Sequence, residues 1–186
     1  VDQGIVLTGG GANDQIVIEA DNLTLGGDIT GTGPLTLRPT TDSLNINVGD
    51  TVQGGALNLR PDDLNKLQGF DAIVIGQATT EGRAAAGQGT VTLAAIDYTP
   101  YTSVPITVYA QNIVLDAHAG SILKVSAGRV LDSQGNIDLN DSVQATGGNI
   151  QISSGGGAIS MAADTSLTVP GGSIEVRASG DIALGT

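Results

Sequence analysis

Apolar and polar residues alternate over short stretches along the chain, and breaks rich in Gly, Ala or Asp separate these stretches. The clearest examples lie between residues 149 and 184, where two apolar residues flank a central, mostly polar one five times. These triplets are IQI (150–152), ISM (159–161), LTV (167–169), IEV (174–176) and IAL (182–184). Alternation with a period of two over a few residues predicts β-strands, and no helical stripe of useful length appears.

A longer period of 22 to 24 residues connects these strands. Ile113, Ile137, Ile159 and Ile182 begin equivalent triplets that are 24, 22 and 23 residues apart, and LTLRP at 35–39 recurs 22 residues later as LNLRP at 57–61. Such a period is typical of a parallel β-helix, whose coils stack about 4.8 Å apart. We therefore predict an all-β solenoid with about three short strands per coil and about eight coils, in which the four isoleucines form one inward column.

An ordinary β-sandwich of about eight strands is the alternative fold. Short breaks and an unbroken 22–24-residue spacing suit it less well, because sandwich strands are longer and not periodic at this scale. We treat residues 1–186 as a single solenoid segment with an irregular loop insertion at 76–105. One short helical turn is expected at 61–69, where Pro61 opens the turn and Gly69 closes it.

Composition supports a narrow solenoid interior. Of 186 residues, 40% are hydrophobic but only 2% are aromatic, so Val, Ile, Leu and Ala must build the core, while 28 glycines suit the corners. The chain has no cysteine, which excludes a disulfide scaffold and a cysteine zinc site. A net charge of −12 opposes binding to nucleic acid or to anionic membranes, and no apolar run is long enough to span a bilayer.

The chain has three tyrosines, Tyr98, Tyr101 and Tyr109, and all of them lie within 12 residues. Loops inserted at the corners of a solenoid commonly carry binding surface. We predict these tyrosines as a candidate binding site for a glycan or protein, in the loop 94–109. The alternative is that this loop only caps or widens the coil.

One stretch, GGGANDQIV at 9–17, resembles the calcium-binding nonapeptide of RTX proteins, with Asn13 and Asp14 as oxygen ligands. Ala12 replaces a glycine of that motif, and the next nine residues do not repeat it. An Asn-Asp turn is therefore the preferred interpretation, and calcium is the one candidate cofactor. The single histidine, His118, is interpreted as a surface residue.

The sequence predicts no catalytic residues. A polysaccharide-degrading β-helix is an open alternative, and it would need three or more carboxylates converging in one groove. The seven basic residues are scattered. Arg38 and Arg60 each precede a proline and would stack one coil apart, where we expect them to contact neighbouring carboxylates rather than a substrate. Neither a serine-hydrolase elbow nor a phosphate-binding loop is present.

The stretch LNLRPDDLNKLQGFDAIVIGQ at 57–77 resembles a recurring segment of very large bacterial surface exoproteins, the filamentous-haemagglutinin-like adhesins exported by two-partner secretion. The matching residues are Leu57, Leu59, Arg60, Pro61, Leu64, Leu67, Gly69, Phe70, Ile73, Ile75 and Gly76. The glycine-rich stretch 147–184 is similar to the solenoid repeats of the same proteins, and together the two regions cover about a third of the chain. The resemblance implies a right-handed parallel β-helix, an extracellular location, and a role as a spacer or adhesive shaft.

We therefore expect a segment of a longer fibre at the bacterial cell surface, which acts mechanically in cell–cell or cell–surface contact. Its expected partners are adjacent coils of the same fibre or end-to-end copies, and a host or neighbouring-cell surface. The lack of cysteine would permit export in an unfolded state. A solenoid segment leaves open coil faces, so we also expect an uncapped coil at one end at least.

Overall fold

Short parallel strands account for nearly all regular structure in the computed structural model, which describes residues 15–49, 51–116 and 122–185 together with the backbone of Ile5–Val6. In chain order the described elements are β1 (Ile5–Val6), β2 (Ile16–Glu19), β3 (Ile29–Thr30), β4 (Pro34–Arg38), β5 (Asn45–Val48), β6 (Ala56–Leu59), α1 (Pro61–Asn65), β7 (Leu67–Gln68), β8 (Ala72–Ile75), β9 (Thr90–Ala94), β10 (Ile106–Ala110), β11 (Asn112–Asp116), β12 (Ile122–Val125), β13 (Arg129–Ser133), β14 (Ile137–Leu139), β15 (Ser142–Ala145), β16 (Ile150–Ser154), β17 (Ile159–Met161), β18 (Leu167–Thr168), β19 (Ile174–Ala178) and β20 (Ile182–Ala183).

The strands wind into a parallel β-solenoid of about seven turns with three faces, which confirms the predicted fold. Sheet 1 contains seven strands in the order β2, β4, β8, β10, β13, β16 and β19. Sheet 2 also contains seven, in the order β6, β5, β9, β11, β14, β17 and β20. The third face is divided between sheet 3 (β1, β3, β7) and sheet 4 (β12, β15, β18).

The predicted isoleucine column is confirmed in sheet 2. Ile113 pairs with Ile137, Ile137 with Ile159, and Ile159 with Ile182, so the four residues stand in one register line. The line continues toward the N-terminal end of the solenoid through Val91, Ile46 and Leu57. Stacked aliphatic residues of this kind fill the interior without large aromatic rings, which explains the composition of the chain.

The number of turns is about seven rather than the expected eight, and β6 does not begin a new turn. After β5 the chain does not advance. It steps back, so β6 pairs with β5 on the N-terminal side, while β9 covers the other side of β5. The repeated phrase at 35–39 and 57–61 therefore does not mark one regular coil, since Leu35 lies in sheet 1 and Leu57 in sheet 2.

The step back ends in the expected short helix. Pro61 occupies the first turn of α1, and the Asp63 carboxylate accepts a hydrogen bond of 3.1 Å from the Arg60 backbone N–H. Leu64 is fully buried. The turn closes at Gly69, whose φ of 80° lies in the left-handed region that favours glycine. This segment carries the chain from sheet 2 to β7 in sheet 3.

Asparagine side chains bind successive coils together at a corner that precedes sheet 2. Asn112 Oδ1 accepts the Asn136 backbone N–H at 2.9 Å, and Asn136 Oδ1 accepts the Ala158 N–H at 3.0 Å. A Cβ atom on Gly135 would collide with the side-chain Oδ1 of Asn112, so the ladder requires a glycine beside it. Each corner thus satisfies a backbone donor that no strand pairing reaches.

The last coil leaves its interior positions accessible. Ile174 and Ile182 end their columns with 43% and 44% of their surface exposed, and Leu184 is 62% exposed. Equivalent residues one coil earlier, Ile150 and Ile159, are fully buried. This exposure is what an uncapped coil produces.

Candidate functional site

A loop projects from sheet 1 between β8 and β9. We call residues 77–88 the flap. Its two arms approach each other at a bridge between Ala78 and Ala84, where the Thr79 N–H donates to the Arg83 carbonyl oxygen at 2.7 Å. Gln88 fixes the base, because its side chain bonds the N–H and the carbonyl oxygen of Gln77 at 2.7 and 2.9 Å. The flap is therefore a small hairpin rather than an open loop.

The flap is clamped to the outer surface of sheet 1 by Asp132. Asp132 Oδ1 accepts the Ala84 N–H at 2.8 Å, while Oδ2 lies 3.1 Å from Arg83 Nη1. The Gln134 side-chain amide also donates to the Ala84 carbonyl oxygen. Both Ala84 and Asp132 are buried, although Asp132 is on the outward face of β13. The clamp connects residues 48 positions apart, and nothing in the local sequence indicated it.

The residue that precedes the flap, Gly76, has to be a glycine for a steric reason. Gly76 has a φ of 87°, and a Cβ atom there would lie far inside van der Waals contact of the Tyr109 carbonyl oxygen in the next coil. Its N–H donates to the Leu37 carbonyl oxygen in the preceding coil at 2.9 Å. The chain leaves sheet 1 at a position that only glycine can occupy.

A groove of about 620 Å³ lies between the flap and the N-terminal half of sheet 1. Its floor is an outward row from three successive coils, in which Val17 pairs with Thr36 and Thr36 with Val74. Residues 77–80 of the flap and the Tyr109 side chain form the walls. The volume falls within the range of about 300–1,000 Å³ that is typical of small-molecule sites.

Tyr109 is the predicted site residue that reaches this groove. Its side chain is half-buried, and burial raises the pKa of its hydroxyl. The nearby Asp132 carboxylate raises the pKa further, while the Arg83 guanidinium lowers it. The phenol therefore stays protonated at neutral pH, and its ring is held at the flap.

The prediction for Tyr98 is wrong, because Tyr98 is fully buried inside the solenoid. Its hydroxyl lies 3.0 Å from the Val48 carbonyl oxygen and 3.1 Å from that of Ala94, so its proton is shared between two acceptors. Tyr98 lies in the segment between β9 and β10. The residue before it, Asp97, forms a parallel bridge with Lys124 of β12. The segment thus fills the third face of the solenoid where sheet 3 ends and sheet 4 begins, and the Tyr98 ring points inward.

Tyr101 lies at a different place from Tyr109. It lines a smaller cavity of about 240 Å³, between the turn at Gly69 and Phe70 and the segment 99–104. The three tyrosines, although close in sequence, occupy the core, a corner of the third face and the outer surface of sheet 1. They do not converge on one site, and binding through Tyr101 or Tyr109 stays a prediction.

Arg129 is a buried residue that the sequence analysis did not single out. It occupies an inward position of β13 between Ile106 and Ile150, and it is only 1% exposed. Burial lowers its pKa to about 10, and the neighbouring Tyr98 opposes this shift. The sequence pattern could have indicated this burial, because Arg129 and Leu131 share one phase of the alternation and Leu131 points inward.

The other predicted residues have simple placements or lie outside the description. Arg38 pairs with Glu19, with Nε 2.6 Å from the carboxylate, and Arg60 pairs with Asp63 at 3.4 Å. Both therefore contact carboxylates as expected. They do not stack one coil apart, because β6 steps back into sheet 2. Residues Asn13, Asp14 and His118 lie outside the described residues.

Within residues 15–49, 51–116 and 122–185, no three His, Asp or Glu side chains are grouped as a metal site requires. In the same part of the chain, no helix has the length and apolar character needed to cross a membrane.

Comparison with known proteins finds no protein family, no curated protein and no solved structure that matches this chain.

Proposed function

We propose that this chain is a rigid shaft segment of a bacterial filamentous surface protein of the filamentous-haemagglutinin-like type. In this role it separates an adhesive region from the cell and contributes stiffness, so that its function is mechanical. The proposal rests on one observation, the unbroken register of inward residues from coil to coil along sheets 1 and 2.

Parallel pairing at every step supports stiffness along the solenoid axis. Within the described residues, β4, β8, β10, β13 and β16 each pair with strands on both sides. Each coil therefore forms backbone hydrogen bonds to the coil before it and to the coil after it. In repeat architectures, stability is a sum of such nearest-neighbour terms, so resistance to unfolding grows as coils are added.

The side chains reinforce this stacking in the direction that a shaft requires. The asparagine ladder through Asn112 and Asn136 adds hydrogen bonds between coils at a corner. Ser160 donates to Asp138 one coil earlier at 2.6 Å, which adds a bond on the outer surface. These contacts restrict the rotation of neighbouring coils relative to one another, as a rigid rod requires.

Charge is compatible with an exposed fibre. The net charge of −12 would keep neighbouring fibres apart and oppose adsorption to anionic surfaces. The chain also lacks cysteine, so no disulfide has to form or break during export.

A deletion matched to the coil tests the proposal in bacteria that display the parent protein. Removing residues 137–158 joins Asn136 to Ile159 and takes out one full coil without removing the Asp132 clamp, since Ile137 and Ile159 share a register position. For a spacer, we expect surface display and attachment to persist, as measured by antibody labelling of intact cells and by an adhesion assay.

The control deletion removes residues 137–147, which is half of that coil. It puts strands of one face beneath strands of another, so we expect loss of folding and of surface display. Attachment lost after the full-coil deletion, with display intact, would show that the segment binds the target itself. Antibody labelling confined to the cell interior would refute an extracellular shaft.

A further inference from the structure

A plain shaft has no need of the groove beside the flap. Regular coils present a flat outer surface, but here the twelve residues 77–88 form a hairpin that is clamped through Asp132. The clamp holds one wall of the 620 Å³ groove in place over sheet 1. From the geometry of this groove we propose that it binds a neutral oligosaccharide.

The floor of the groove is mainly apolar, because Thr36, which lies between Val17 and Val74, is only 4% exposed. Val17, Thr36 and Val74 lie in one row on successive coils, and Val17 is 43% exposed. The Gln15 amide donates to the Thr36 hydroxyl oxygen at 2.5 Å, which orients both side chains. Sugar rings present C–H groups on their faces and hydroxyls on their edges. The apolar floor can contact the faces of the rings, while the exposed hydroxyls of the flap can bond to their edges.

The walls offer an aromatic ring and fixed polar groups. Tyr109 supplies an amphipathic ring that can pack against the face of a sugar while its hydroxyl bonds to the edge. Thr79 and Thr80 of the flap supply hydroxyls, and Gln77 supplies a side-chain amide. The backbone of Gln77 is held by Gln88, so little ordering is needed when a ligand arrives.

Charge selects a neutral ligand. Arg38 is the one basic residue among the described lining residues, and its guanidinium is already paired with Glu19. None of the described lining residues is acidic, so a cation finds no carboxylate there. The net charge of −12 repels a polyanion. A neutral oligosaccharide, which presents hydroxyl groups and no charge, can therefore enter the groove without an electrostatic penalty.

An extended peptide fits less well. Peptides that add to a sheet bind along a strand edge, whereas the groove lies on the outward face of β2, β4 and β8, and β4 and β8 are paired on both sides. Recognition in this groove therefore depends on side chains rather than on backbone pairing. Among the described lining residues only Tyr109 carries an aromatic ring, so we expect dissociation constants on the order of a millimolar.

The experiment uses the purified 186-residue chain and four probes, namely cellotetraose, maltotetraose, N-acetylchitotetraose and the acidic tetragalacturonate. Saturation-transfer NMR followed by titration measures binding. We expect at least one neutral tetrasaccharide to bind more tightly than the acidic one. Replacing Tyr109→Ala should weaken that binding about tenfold, while Tyr109→Phe, which keeps the ring, should weaken it less.

Two further variants separate binding from folding. Val17→Trp adds bulk at an exposed floor position and should block the groove without changing the thermal transition. Tyr101→Ala is the matched control, since it removes another half-buried tyrosine outside the groove and should leave binding unchanged. The proposal is overturned when none of the neutral probes binds, when tetragalacturonate binds best, or when Tyr109→Ala and Val17→Trp both bind as the wild type does. None of these outcomes bears on the shaft proposal, which the coil deletions test.

Discussion

The guanidinium carbon of Arg129 lies 5.7 Å from the centroid of the Tyr98 ring, inside a column of aliphatic residues. Arg129 Nε has no hydrogen-bond partner among the described residues. A buried charge that is compensated mainly by an aromatic face costs stability. The contact nonetheless joins the irregular segment that carries Tyr98 to the regular coil above it.

Replacing Arg129→Met should leave stability unchanged or raise it, because a flexible apolar side chain of similar length fills the same space without desolvating a charge. Arg129→Ala should instead cost about 2–4 kcal/mol by leaving a cavity. Denaturant unfolding monitored by circular dichroism measures both. A large loss in the Met variant would show that the cation–aromatic contact outweighs the cost of burial.

The wild type and Arg129→Met should also differ in how their stability depends on pH. The folded-state pKa of Arg129 is lowered by burial from its ordinary value to about 10, so folding disfavours its charged form. The unfolded state holds the proton more tightly, and stability therefore rises as the pH increases above about 10. The stability deficit of the wild type relative to Arg129→Met should be constant near neutral pH and shrink above pH 10. Unfolding curves of both proteins across this range test the sign.

A glycine pair isolates the steric role of Gly76. Gly76 and Gly87 both have positive φ, at 87° and 83°, but a Cβ atom meets the Tyr109 carbonyl oxygen only at Gly76, while the space around Gly87 is open. Gly87→Ala should cost about 1–2 kcal/mol from backbone strain alone. Gly76→Ala should cost at least about 3 kcal/mol, because adjacent coils must move apart. Equal losses measured by thermal unfolding would contradict the close approach.

Releasing the flap should expose a cleavage site. Asp132→Asn weakens the ion pair with Arg83, so trypsin should cut after Arg83 several times faster than in the wild type. Asp97→Asn is the control, since it removes a solvent-exposed pair with Lys124 at 3.3 Å and should not alter cleavage at Arg83. Mass spectrometry of the fragments locates the cut. Unchanged protection in Asp132→Asn would mean that the remaining bonds of the flap are sufficient.

Position along a column should set the cost of truncation. Ile137 is fully buried between two coils, and Ile137→Ala should destabilise the chain by about 2–5 kcal/mol. Ile182 belongs to the same column but is 44% exposed, so Ile182→Ala should cost about 1 kcal/mol or less. Chemical denaturation of the two variants compares them directly, and similar losses would argue against the stacked column.

The sequence determined the regular part of this protein. Alternation with a period of two is a local property, and it sets which side of each strand faces inward, as at Ile150 and Ile152. The 22–24-residue spacing then brings equivalent residues above one another, which predicted the column from Ile113 to Ile182. The glycines and asparagines of the corners follow from the same periodicity.

Only the tertiary structure decided where the 22–24-residue spacing is interrupted. The phrases at Leu35 and Leu57 look equivalent, yet β6 steps back to pair with the outer edge of β5, and this pairing is not a property of the local sequence. The burial of Tyr98 and the clamp between Arg83 and Asp132 depend on segments from different coils. Such contacts are set by the order of stacking and not by local alternation. The core was therefore predictable from the sequence, whereas the groove beside the flap was not.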